Sequence, residues 1–107
     1  MRQVFACIWR AHEPDATFKQ EEFEKRIPRL MSWLKDLKAK GKLVACGGGG
    51  FSTHAGGLTL LAAETPEEAK MLSDGTPMNE IGATEIFLWD CFYADLVHRK
   101  NEEKLKS

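Results

Sequence analysis

A chain of 107 residues is long enough for one domain with a modest core. Its 15 basic and 16 acidic residues nearly balance, which argues against a nucleic-acid or anionic-membrane surface, because those need a concentrated basic face. No apolar run approaches the ~20 residues of a membrane span, and Arg10 interrupts the first apolar stretch, so neither a membrane segment nor a signal peptide is expected.

Val4 to Trp9 is apolar and rich in strand formers, which predicts a first strand. A loop follows at His12-Glu13-Pro14-Asp15. Thr17 and Gln20 have capping-box spacing, and Phe23, Ile27, Leu30, Leu34 and Leu37 then mark one helical face. Pro28 lies inside that run and must kink the helix or divide it, since it cannot donate to the preceding turn. Gly41 is the expected stop. Lys42 to Cys46 reads as a second strand that dissolves into the glycines Gly47 to Gly50. Phe51 to Gly57 reads as a loop carrying His54, and Leu58 to Ala63 as a third strand. Thr65, Pro66 and Glu68 form a strong helix start. That helix is expected to end near Asp74-Gly75, with a further turn from Thr76-Pro77 to Gly82. Glu85 to Tyr93 predicts the fourth strand. Arg99 to Lys106 is highly charged and reads as a frayed helix or a disordered tail. The expected division is a folded domain over residues 1–95 and a charged tail over 96–107.

The order is βαββαβ, a ferredoxin-like α+β fold with a four-stranded antiparallel sheet. Right-handed crossovers place the first and third strands in the centre and both helices on one face. The strands nevertheless read as apolar on both sides. Val4, Ala6 and Ile8 oppose Phe5, Cys7 and Trp9, while Ile86, Leu88 and Phe92 oppose Phe87, Trp89 and Cys91. Soluble monomers rarely expose so large an apolar patch. A homodimer packed sheet against sheet is therefore expected, with cover by loops or the tail as the alternative.

Candidates for chemistry are few. His54, set among glycines that would let a substrate approach, can act as base or acid near neutral pH. His12 neighbours Glu13 and Asp15, which could fix its tautomer, but one histidine with scattered carboxylates is a poor metal set. Asp90 and Arg10 are odd charges in apolar strands and would pair if those strands are neighbours; an unpaired carboxylate there would be tuned as a base. Trp9, Trp89 and Phe92 could line an aromatic pocket or belong to the core. The run ending in Gly49 and Gly50 lacks the Lys-Ser/Thr of a phosphate loop, so close backbone approach or bulging is its expected role. Cys7, Cys46 and Cys91 have no framework spacing and read as free thiols in a reducing, cytoplasmic setting. No cofactor or metal is implied, and a small-molecule ligand is expected.

WLKDLKAKGKLVACG, then GGLTLLAAETPEEAKML, then GATEIFLWD, resembles the YCII-related family. The resemblance covers roughly Val4 to Tyr93. It implies a ferredoxin-like domain that pairs into a dimeric α+β barrel, and a small cofactor-independent enzyme such as a dehydrochlorinase-type lyase or an isomerase. It further implies an acid/base pair of a helical histidine and an acid after the second helix. The histidine position falls at or near Leu30. Asp74 stands near the acidic position, followed by Gly75-Thr76-Pro77 rather than directly by proline. With that pair incomplete, two readings stand. One is proton-transfer chemistry on a small aromatic or unsaturated carbonyl-type compound, with His54 or Asp90 moving the proton and Arg10 offsetting negative charge. The other is a non-catalytic dimeric module that binds a metabolite or serves as an accessory subunit.

Overall fold

In a computed structural model, residues 2–96 and 102–105 are described. Strand β1 spans Gln3–Ala11, helix α1 Gln20–Glu24, helix α2 Ile27–Ala39, strand β2 Leu43–Phe51 and strand β3 His54–Ala63. Helix α3 spans Pro66–Ser73, a 3-10 turn Pro77–Glu80, strand β4 Gly82–Leu88 and a last 3-10 turn Glu102–Leu105. The four strands form one antiparallel sheet in the order β2-β3-β1-β4. The expected ferredoxin-like α+β architecture, with the first and third strands central, is present.

The helix with Pro28 is divided in two. Proline has no N–H to give the turn before it, so α1 stops at Glu24 and α2 restarts with Pro28 in its first turn, where that N–H is not needed. The Thr17–Gln20 cap does not form. Thr17 Oγ1 donates to Glu13 Oε2 at 2.6 Å, and α1 begins at Gln20 after an uncapped Lys19. At the other end of α2, Gly41 takes a φ of +71°. The amides of Gly41 and Lys42 then return to the carbonyls of Lys38 and Leu37, at 3.0 and 2.9 Å, which completes a Schellman stop.

Two expectations about strands are corrected. β2 does not dissolve at its glycines but runs through them to Phe51, because pairing with β3 fixes their backbone. His54 is accordingly the first residue of β3, joined to Phe51 by the two-residue turn Ser52-Thr53, with Ser52 at φ +60°. β4 starts three residues earlier than expected, pairing Gly82 with Ala11, and ends at Leu88. Trp89 to Tyr93 therefore lie beyond the sheet. Among the last residues, the turn Glu102–Leu105 packs against α2, and the rest of the expected Arg99–Lys106 tail lies outside the described residues.

Phe5, Cys7, Trp9 and Ala11 of β1 are buried and face the helices, where they join Leu37, Leu61, Ala63, Ala69 and Met78. Burial pushes the Cys7 thiol up, partly offset by its hydrogen bond with Ser73. α3 is capped as expected, with Thr65 Oγ1 accepting from the Glu68 amide at 3.1 Å and Glu68 Oε1 accepting from the Glu64 amide at 2.6 Å. Among the described residues no helix covers the opposite face of the sheet. Val4, Ala6, Ile8 and Arg10 alternate onto it, with Leu58 and Phe87, which are 38% and 49% exposed, on the flanking strands.

Candidate functional site

The sheet register gathers four ionisable side chains at one end of the open face. Arg10 lies opposite Gly56 on β3 and Ala83 on β4, while Glu85 lies opposite Ile8, one step along the same face. β1 carries on to Ala11, and the His12 amide donates to the Ile81 carbonyl at 3.0 Å, which holds His12 at the strand end. His54 enters from the hairpin turn, where its Nδ1 shares a hydrogen bond with Thr53 Oγ1 at 3.1 Å. The turn is itself tied to the loop after β1, through the Asp15 amide on the Thr53 carbonyl at 2.6 Å.

Arg10, Ala11, His12, His54, Ala83 and Glu85 line a cleft of about 270 Å³. That is smaller than the clefts of roughly 300–1,000 Å³ that hold drug-sized ligands, and it suits a single ring. Arg10 and Glu85 form no ion pair with each other or with another described residue, so the guanidinium is available to an anion. A second cleft, of about 470 Å³, shares His12 and is lined also by Glu13, Thr17, Phe18, Lys19, Glu22 and Ile81. Lys25 first and Arg26 second hold the Glu22 carboxyl below its ordinary range. Among the described residues no three His, Cys, Asp or Glu side chains are grouped to hold a metal ion.

The structure thus brings His12, His54 and Arg10 together, and it separates them from the remaining candidates. β1 and β4 are neighbours, but their register keeps Asp90 from Arg10: the Trp89 amide bonds to the Val4 carbonyl, at the far end of β1. Six residues of strand, about 20 Å, lie between. Asp74 pairs with Lys70 at 2.9 Å on the surface. Trp9 is in the core rather than a ligand wall, with Nε1 donating to the Met78 carbonyl at 2.8 Å. Trp89 is half-buried and Phe92 almost fully exposed, both past the end of β4. Gly49 and Gly50 lie in β2 and line neither cleft. Leu30 packs on the apolar cluster of Trp9, Ala11 and Met78. Cys91 is exposed beyond β4, not on a strand beside Cys7. Glu85 was missed by sequence reasoning; its alternation with Phe87 was the available signal.

No curated protein matches the chain. Among solved structures, the 5-chloro-2-hydroxyhydroquinone dehydrochlorinase of Burkholderia phenoliruptrix, in complex with 2,5-dihydroxybenzoquinone, is similar in fold. The TM-score is 0.59 at 19% identity, over 80% of this chain and 93% of that one. The model of the YCII-related domain matches residues 4–90, and the chain belongs to the YCII-related family.

Proposed function

We propose that this protein is a small enzyme that moves a proton on a monocyclic, enolisable carbonyl or hydroxyquinone-type compound, using acid/base groups of its own chain. The observation that carries the reading is the convergence of His12, His54 and Arg10 on one ring-sized cleft. Family membership and the likeness to a dehydrochlorinase fold support lyase or isomerase chemistry. In this reading His54, oriented by Thr53, takes a proton from the ring carbon or hydroxyl. His12 returns one on the other side, and Arg10 holds the oxyanion that develops between. Elimination of halide from such a ring needs only this proton movement and departure of the anion. Asp74 and Asp90 have no role in the chemistry within one chain.

The open face is closed, we infer, by a second copy of the chain, giving the dimeric α+β barrel. Its exposed Leu58, Phe87 and Val44 support this.

The test is incubation with 5-chloro-2-hydroxyhydroquinone, following chloride release, and with the unchlorinated hydroxyhydroquinone in deuterated water, following loss of ring protons by NMR. Catalysed release or exchange is expected, with His54→Ala lowering kcat about 10²- to 10⁴-fold. Binding without exchange in any such compound would instead favour the non-catalytic module, the reading that the apolar setting of Leu30 supports.

A further inference from the structure

The sheet carries different features at its two ends. One end holds the cleft of Arg10, His12, His54 and Glu85, which no Phe, Tyr or Trp lines. From the other end the chain leaves β4, pinned by the Trp89 amide on the Val4 carbonyl, and residues 89–96 form a strap. Phe92 is 94% exposed and Tyr93 82%, so among the described residues these two side chains have almost no surface beneath them. Asp90 and Asp95 flank them in the sequence. The strap cannot serve its own cleft, which is about 20 Å away along β1.

Two sheets packed face to face are related by a two-fold axis lying between them. With the axis along the strands, like ends meet, and Asp90 and Asp95 of one strap face those of its copy, anion against anion. With the axis across the strands, each cleft faces the strap of the other copy, and Arg10 meets acidic residues. Opposite charges favour the second arrangement. Packed sheets stand about 10 Å apart, a gap that the strap's aromatic side chains can fill.

Building on the dimer inferred above, we propose that the site is shared between copies. Each strap closes the other copy's cleft, setting Phe92 and Tyr93 against the ligand ring and Asp90 opposite Arg10. The site of a lone chain is then incomplete, and the ligand it takes is a flat ring held between a strap aromatic and the sheet.

Cross-linking tests this directly. In a Cys46→Ser background, Ala83→Cys puts a thiol in the cleft beside Arg10, and native Cys91 already sits in the strap. After mild oxidation, a covalent dimer linking Cys91 to position 83 is expected by peptide mass spectrometry, and its loss in Cys91→Ser. If light scattering gives a dimer but position 83 links only to itself, or to nothing, the shared site is overturned and the dimer stands. A monomer by light scattering removes both. A charge exchange gives a second reading should the cysteine variant fail to fold. Arg10→Glu is expected to weaken the dimer about tenfold or more, and Asp90→Arg added to it to restore most of that loss. Failure of the restoration overturns the pairing.

Discussion

The indole of Trp9 is 7% exposed and donates its N–H to the Met78 carbonyl, which joins β1 to the turn before β4. Trp9→Phe keeps most of the ring but leaves that buried carbonyl without a donor, so a loss of about 1–3 kcal/mol is expected in urea unfolding. Gly82 sits at the same junction. A Cβ there would meet the Arg10 carbonyl and the Trp9 ring, which is why β4 must begin on glycine. Propensity alone hides this start, since Gly82-Ala83 favours no strand. Residue identity revealed His12, His54 and Arg10, because each is a titratable or charged group in an apolar or glycine-rich stretch. It could not reveal that they meet, because register decides that: only the pairing of Arg10 with Gly56 and Ala83 sets them around one cleft. The same register sends Asp90 to the other end, which no strand-by-strand reading could show. Trp9 was ambiguous for a further reason: an aromatic in a strand looks the same whether its neighbours are a ligand or a helix.

At the scale of elements, the boundaries that rest on local chemistry were the legible ones. Pro28 dictates the break between α1 and α2, and Gly41 the stop of α2, because each fixes backbone geometry by itself. Gly41→Ala forces a Cβ into a left-handed φ, and a loss of about 1 kcal/mol in thermal or urea unfolding is expected. The glycine strand was illegible because its order comes from β3, not from its own residues. The turn Pro77–Glu80 is likewise held from outside. Glu80 bonds Arg26 Nε at 2.9 Å and Arg29 at 2.6 Å, which ties the turn to the start of α2. Arg29 first, then Arg26, draws the Glu80 carboxyl down to about 2. Its folded value lies below its unfolded one, so the clasp contributes fully above the ordinary carboxylate range, near pH 4.5, and is lost as pH falls towards 2. Glu80→Gln should therefore be less stable than the native chain at pH 6, and the difference should shrink through pH 4 and vanish near pH 2. Urea midpoints across that range would check it; a difference independent of pH would assign Glu80 a packing role instead.

For the whole molecule, the balance between the two faces of the sheet sets behaviour. The helix-covered face holds the core, while the other presents Val4, Ile8, Leu58 and Phe87 around a central strand pair. Net charge is only −1, so little long-range repulsion opposes contact between copies. Burying these side chains against a second copy would contribute roughly 25 cal/mol per Å² of apolar surface removed from water. A face of this kind is sensitive to one well-placed charge. Leu58→Asp puts a carboxylate on the face of each copy, and in a symmetric dimer it does so twice. Its own fold should change little, because Leu58 is 38% exposed in the single chain and touches no helix cluster. The dimer should suffer much more, with several kcal/mol of uncompensated desolvation and a dissociation constant raised on the order of 10²-fold or more. Light scattering over a concentration series should give a dimer mass for the native chain at micromolar concentration and a monomer mass for Leu58→Asp, with unchanged circular dichroism. A native monomer at that concentration would mean that the open face is covered in some other way, and the cleft at its end would then have to work with the side chains of one chain alone.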